Sequence, residues 1–418
     1  MPRAPPFAKE TTRTRFVGNL RIAILLRTTE GCFWTLPQVD ELRRRNHEVI
    51  AILPPGPGAL REQFRKRGVE TLDSPFDFRF RPTLKAVRGL WRLRRLLCGL
   101  RLDVLNYHLY AAALAARIAA FRLPLRRVHM VAGPLYLESP VVRPVERLLW
   151  RLDDLIICCT QHISTMYQAL GCPAERRPVA QYGVDLNHFD PARVRAPGPA
   201  ASARASVRAE LGIEDDVFVA IMVANIYTPK RIAFSGQNIK GHDVLLEAWR
   251  DFHAAHPRSR LLMVGVGFTE AGEAHRRHLM DRFADDRSIV WLGRLPDLRP
   301  YFLAADVNVT PSLSEGSNGV VREASAMGRP SIVSDAGGLP EAVNDSFAWI
   351  VPRGDAAALR EALSIAHRAF TTGELAPRGR SAREHALRAF DRTAAAEAVA
   401  DMVTHRHPRN RAADVPIP

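Results

Sequence analysis

The sequence predicts an α/β protein built from two parallel-sheet domains. Three observations lead there. Short apolar, β-branched runs alternate with segments of helical period along most of the chain. A Pro-, Ala- and Ser-rich stretch, Pro191 to Ala205, interrupts that alternation near the middle. The basic excess lies on one side of it: residues 1–200 hold 32 Lys+Arg against 17 Asp+Glu, and residues 201–418 hold 27 of each.

The elements follow in order. Arg21 to Leu26 reads as the first strand, Arg27 to Cys32 as a turn and Thr35 to Arg45 as a helix. Glu48 to Leu53 is the second strand, ended by Pro54-Pro55-Gly56. Asp103 to His108 is a later strand, followed by an alanine-rich helix. Val128 to Ala132 and Asp154 to Cys158 are further strands, with a helix from Ser164 to Leu170. The first domain is set at 18–200 and the second at 201–380. In the second, Phe218 to Val223, Arg260 to Gly265 and Ser288 to Leu292 read as strands and Asp243 to His253 as a helix. Ala382 to Val403 has helical spacing, giving a last helix over 381–405. Residues after Arg406 are read as disordered.

The most informative stretch is Val307 to Val343. Asp306 to Thr310 alternates and reads as a strand. Gly319 to Met327 reads as a helix stopped by Gly328-Arg329-Pro330, and Pro330 to Ser334 as the next strand. Gly337-Gly338-Leu339-Pro340 is a turn before another helix. Gly316, Ser317, Asn318 and Gly319 offer backbone N–H groups at a helix N-terminus, a site for phosphate. Glu315 precedes that start and Glu323 lies about two turns in. Carboxylates repel phosphate, so their natural partners are hydroxyls. A phosphate flanked by a sugar and a ribose meets both requirements.

The Glu-x7-Glu spacing of Glu315 and Glu323, the preceding Pro311-Ser312, and the trailing Ala-x-Gly-x-Pro and Gly-Gly-x-Pro-Glu resemble the retaining GT-B glycosyltransferases of family 4. The resemblance covers most of residues 20–400, more strongly in the second half. It implies two Rossmann-like domains facing across a cleft, and the last helix crossing back to the first domain. It also implies transfer of a sugar from a UDP- or GDP-sugar to a hydroxyl of a glycan or lipid-linked acceptor, with retention. Glu323 would hold the ribose, Glu315 the donor sugar, and Gly316, Ser317 and Asn318 the sugar and phosphate. Lys240, in Asn238-Ile239-Lys240-Gly241, resembles the family lysine on the diphosphate; otherwise it caps a surface loop. The companion arginine falls at Arg231 inside a longer loop, with Lys230 as substitute. Gly31 matches a glycine beside the diphosphate, although the tandem glycine is missing and a plain turn glycine is the alternative. His108 matches a histidine beside the donor sugar; a structural histidine is the alternative. Gly267 would shape the nucleotide cleft, and Gly293 to Leu295 would border the base. Tyr182 to Phe189 resembles a structural turn of the family. A nucleotide-sugar epimerase and a non-catalytic nucleotide-binding partner of a glycan assembly are the rival readings.

Other classes find less support. The Gly265-x-Gly267 pair has Glu270 where a third glycine would stand, and the first strand lacks the dinucleotide fingerprint, which argues against a nicotinamide enzyme. No Asp-x-Asp and no His/Cys cluster at metal-ligand spacing occurs, so neither metal nor cofactor is expected. Nothing marks a nucleic-acid module. The N-terminus has no apolar core of a secretory signal, and no apolar run spans a bilayer. A cytoplasmic chain is expected, with reduced, buried cysteines. Leu84 to Leu102 has Val87, Leu90, Leu93, Leu97 and Leu100 on one face and Lys85, Arg88, Arg92 and Arg95 on the other. An ordinary helix on the sheet with a solvated arginine face is the first reading. A peripheral position on an anionic membrane surface is the second.

Overall fold

The structure, a computed structural model, describes residues 18–195, 202–229, 234 and 236–405. The expected boundary near residue 200, the candidates Lys230 and Arg231, and the tail after Arg406 lie outside the described residues. By internal contacts the chain divides into two units. The first is Met1–Met130, Leu149–Ile157 and Ala396–Pro418; the second is Val131–Leu148 and Cys158–Ala395.

The first unit is organised on β1 (Arg21–Leu25), β2 (Glu48–Leu53), β3 (Glu70–Asp73), β4 (Val104–His108), β5 (Arg126–Val131) and β6 (Leu155–Cys158). These form a six-stranded sheet in the order β3-β2-β1-β4-β5-β6. β1 is central and pairs in parallel with both β2 and β4, with Ile24 beside Ala51 and Asn106. A strand covered on both faces reads as an unbroken apolar run, as β1 and β2 do. β3 is short, polar and half exposed, so it left no period to read. Helices α1 (Thr35–Arg44), α2 (Ala59–Lys66), α3 (Leu84–Leu100) and α4 (Tyr110–Ala119) accompany this sheet.

The expected apolar stripe of α3 is not one face. Leu93 and Leu97 are buried, whereas Val87 is exposed together with Leu84 and Trp91. Gly89 lets the helix approach Phe76, and its buried face joins Leu105, Tyr107 and the alanines of α4. Of the cysteines, Cys98 on α3 is exposed and the other four are buried, which corrects the expectation for that residue.

In the second unit, α5 (Val142–Leu149) and α6 (Gln161–Ala169) come first. α6 begins three residues earlier than its periodicity suggested, because Thr160 Oγ1 accepts the Ile163 N–H at 3.3 Å and caps it. Next come α7 (Ala203–Glu210), β7 (Phe218–Val223), α8 (His242–Ala255), β8 (Ser259–Val264), α9 (Glu270–Arg282), β9 (Ile289–Gly293), α10 (Arg299–Ala304) and β10 (Val307–Thr310). α11 (Gly319–Ala326), β11 (Ser331–Ser334), β12 (Ala348–Val351), α12 (Ala356–Thr371), α13 (Leu375–Ala389) and α14 (Arg392–Thr404) complete the chain. The second sheet runs β12-β11-β10-β7-β8-β9. Counted from its own first strand, its order is that of the first sheet. Both are the doubly wound order of nucleotide-binding α/β folds.

Two expectations fail here for local reasons. After Gly337 to Pro340 there is one 3-10 turn, Pro340–Ala342, and then β12. The Asn344 side chain accepts the Ser346 N–H at 3.0 Å, a turn that competes with helix. The helix expected over Ala382 to Val403 is two helices. Val184 takes the Phe390 carbonyl at 2.8 Å, and Asp391 accepts the Ala394 N–H at 2.8 Å to start α14. The Tyr182 to Phe189 segment is the turn that fixes this break, with Arg392 ion-paired to Asp185 at 2.8 Å. Residues 396–404 of α14 belong to the first unit, where Asp401 pairs with Arg45 at 2.6 Å.

One buried charge holds the second sheet to its helices. Asp306, just before β10, accepts from Arg208 Nη2 at 2.9 Å, Arg204 Nη2 at 2.8 Å and the Val219 N–H at 2.8 Å. Arg208 is 1% exposed. Removing the carboxylate strands a buried guanidinium. Asp306→Ala is therefore expected to cost about 3–5 kcal/mol in urea unfolding; a loss under about 1 kcal/mol would contradict this account.

Candidate active site

In each sheet the strand order reverses between the first and fourth strands. The loops leaving those two strands part to opposite sides, and the crevice between them is where such sheets take ligands. In the second sheet those loops follow β7 and β10. They contain Lys240 and Glu315, 75 residues apart in sequence.

The loop before α8 is built to present Lys240. Asn238 Oδ1 accepts the Lys240 N–H at 2.9 Å, and Asp243 Oδ2 accepts the Asn238 N–H at 3.0 Å. Gly241 has φ 75°, and a methyl group on it would sit 2.0 Å from the Pro311 carbonyl oxygen. Only glycine permits that approach. The Leu313 N–H donates to the Ile239 carbonyl at 2.8 Å, which ties the two loops together.

Glu315 receives the lysine. Its Oε2 lies 2.6 Å from Lys240 Nζ, 3.0 Å from Asn318 Nδ2 and 3.3 Å from Ser312 Oγ. Burial raises its pKa, but the Lys240 ammonium and these donors outweigh burial and hold the carboxyl below the usual range. Burial likewise lowers the Lys240 pKa, and Glu315 more than reverses it. Both groups are charged and each neutralises the other. The Gly316 N–H, expected to be free for a ligand, points to Glu315 Oε1 at 3.3 Å. Asn318 is the N-cap of α11, accepting the Val321 N–H at 3.2 Å. Ser317 Oγ is taken by the buried Arg322 guanidinium.

Glu323 differs. It is the fifth residue of α11, little more than one turn in rather than two. Its carboxylate folds back toward Gly319 and has no hydrogen bond or ion pair among the described residues. Burial pushes its pKa up to about 7. Gly267 follows β8, and its N–H donates to Glu273 Oε2 at 2.7 Å. Leu295 is half-buried beyond β9, against the core that includes Val264.

Sequence reasoning missed the segment after β5. A methyl group on Gly316 would lie 2.1 Å from the Ala132 carbonyl oxygen, so residues 132–133 press directly on the site loop. Glu138 Oε2 accepts from Ser314 Oγ at 2.6 Å. Glu341 caps α6, accepting the Gln161 and His162 N–H groups at 2.7 and 2.6 Å. The Gly133-Pro134 step was a legible turn signal; its close approach to Gly316 was not.

Gly31 and His108 belong to the first unit, Gly31 in the loop after β1 and His108 at the end of β4, the reversal point of that sheet. Gly31 has φ 69°. His108 is fully buried; Nδ1 accepts from Trp34 Nε1 at 3.4 Å and Nε2 has no partner among the described residues. Burial lowers its pKa to about 3, so the ring is neutral.

Two Rossmann-ordered sheets, each with candidate residues at its reversal point, define the GT-B class of α/β folds. HepE of Anabaena, solved with UDP and glucose, matches with a TM-score of 0.73 at 18% identity over 92% of this chain and 99% of that one. Two family models match the sequence: glycosyl transferases group 1 over residues 229–367, and glycosyltransferase family 4 over residues 38–188. The chain belongs to the family 4, group 1 glycosyltransferases. It is 31% identical over 278 residues to D-inositol 3-phosphate glycosyltransferase 2 of Catenulispora acidiphila, covering 63% of this chain and 57% of that one. It is 29% identical over 250 residues to WcaL of Escherichia coli, a putative colanic acid biosynthesis glycosyltransferase, covering 58% and 54%. The match thus spans little more than half the length of either relative.

The raised Glu323 pKa predicts a pH slope. Between the ordinary carboxyl value of about 4.3 and about 7, the folded chain keeps a proton that the unfolded chain has lost. Stability therefore falls as pH rises through that window. Glu323→Gln should unfold about 3 kcal/mol harder than wild type at pH about 8 and no harder at pH about 4. Equal differences at both pH values would refute the assignment.

Proposed function

We propose that the chain transfers a sugar from a nucleoside diphosphate sugar to an acceptor hydroxyl, with retention, in the synthesis of an envelope or exocellular glycan. The observation behind this reading is the charge-neutralised pair of Glu315 and Lys240 beside Glu323, which has no partner among the described residues, at the reversal point of one sheet. Lys240, with Arg231 or Lys230, takes the diphosphate and spreads the charge that develops on it. Glu315, released from Lys240, accepts hydrogen bonds from the donor sugar, and Glu323 accepts them from the ribose. Gly316, Ser317 and Asn318 orient the sugar and phosphate, while Gly267 and Leu295 border the nucleotide. Gly31 and His108 are the donor-binding candidates of the first unit, His108 as a neutral hydrogen-bonding ring.

In the step itself the anomeric C–O bond to the diphosphate breaks. The acceptor oxygen bonds to the anomeric carbon on the same face, and its proton passes to the departing phosphate oxygen. The lysine and arginine supply the counter-charge that a metal ion would otherwise give. The basic excess of residues 1–200 favours an anionic or lipid-linked acceptor handled at the inner face of a membrane. Among the described residues no helix is long and apolar enough to cross a membrane.

Two measurements test this. UDP or GDP at about 100 times its dissociation constant should stabilise the chain by about 2.7 kcal/mol, a rise of roughly 5–10 °C, with or without magnesium. Glu315→Ala should abolish transfer while that shift persists. Turnover unchanged in the variant would remove Glu315 from the site. A product that is the epimerised donor, formed without acceptor, would replace the transferase reading by an epimerase. No shift with any nucleotide would favour a non-catalytic role.

A further inference from the structure

We infer that the exposed face of α3 is a docking surface for an anionic lipid bilayer. Leu84, Val87 and Trp91 are 74%, 64% and 56% exposed. At spacings of three and four they form one stripe along the helix, and Phe80, also exposed, precedes it. The opposite side of the same helix is buried through Leu93 and Leu97. The exposed stripe is thus not the part of the helix that the core requires. A helix that faces water normally presents polar residues there, and a contiguous apolar patch marks an interaction site.

The charge around the stripe selects the partner. Between Asp77 and Asp103 the chain contains no Asp or Glu. Arg79, Arg81, Lys85, Arg88, Arg92 and Arg95 flank the stripe, and none makes an ion pair among the described residues. Arg95 instead stacks over Trp91, 4.8 Å from its ring centre. Arg94, the one arginine turned inward, donates to the Ala119 and Phe121 carbonyls at 3.1 and 2.7 Å and fixes α3 to α4. The helix is held, so its face is a fixed platform.

An apolar stripe bordered by unpaired arginines suits a surface with anionic headgroups above hydrocarbon. A nucleic-acid backbone would use the arginines but leave Leu84 and Val87 in water. An acidic protein groove is the other candidate, and the experiment separates it. The docking adds a partner to the proposed transferase and does not depend on the transfer reaction, since its test contains neither donor nor acceptor.

The test is sedimentation of the full chain with vesicles of phosphatidylcholine alone or with phosphatidylglycerol. The wild type should bind the anionic vesicles, and bind less as salt rises from about 0.1 to about 0.5 M. Leu84→Asn/Val87→Asn/Trp91→Ala should lose at least about tenfold in partitioning. Arg88→Gln/Arg92→Gln/Arg95→Gln should lose about a hundredfold. Both variants should keep the wild-type melting temperature, because the altered side chains lie outside the core. Failure of the wild type to bind, or equal binding to neutral vesicles, overturns the proposal. So does loss in the arginine variant with full binding in the apolar one, which would mean that the face reads a soluble polyanion or an acidic protein instead.

Discussion

The constraint on which the rest depends is the reversal of strand order in each sheet. A central strand with parallel neighbours on both sides must send its chain first one way and then the other. The loops after the first and fourth strands then cannot cover each other, and the gap between them stays open. In the second sheet this puts the loops after β7 and β10 side by side, although Lys240 and Glu315 are 75 residues apart in sequence. Everything that makes Lys240 and Glu315 neighbours follows from that order and from the close backbone approach at Gly241 and Pro311.

The electrostatics of the site follow in turn. Burying a lysine or a glutamate alone would push each toward its neutral form. Burying them 2.6 Å apart keeps both ionised. The pair therefore spends its opposite charges on each other; under the proposed function, a ligand that offers both phosphate and hydroxyls would redistribute them. Glu323 has no such companion among the described residues, and its half-buried carboxyl is held toward the neutral form there. Such an uncompensated group is the kind of local cost that proteins accept where a ligand will be held. The same logic runs in reverse at Asp306, where three donors satisfy one carboxylate and the result is structural.

How much could be read beforehand depended on the element. Buried parallel strands such as β1, β2, β7 and β8 are continuous apolar runs, and their positions were legible within a residue or so. The edge strands β3 and β12 are short and partly exposed, so they had no signature. α6 and α14 start where side-chain caps at Thr160 and Asp391 place them, a decision made by single hydrogen bonds that periodicity cannot see. The stripe on α3 was legible as amphipathic, but not which half of it the core would take. Arginine-rich flanks looked like a solvated face; burial of Leu93 and Leu97 left Leu84, Val87 and Trp91 outside instead.

The sequence by itself determined the α/β class, the Glu315 to Glu323 unit and the lysine loop, because each is a local pattern: a period, a turn residue, a spacing within one strand–loop–helix. Tertiary structure alone decided that Lys240 is spent on Glu315, that residues 132–133 press on Gly316, that Glu138 and Glu341 support the site from distant segments, and that Glu323 stands unpaired among the described residues. These are contacts between chain segments far apart in number. They arise from strand order and close backbone approach, for which a linear pattern has no coordinate.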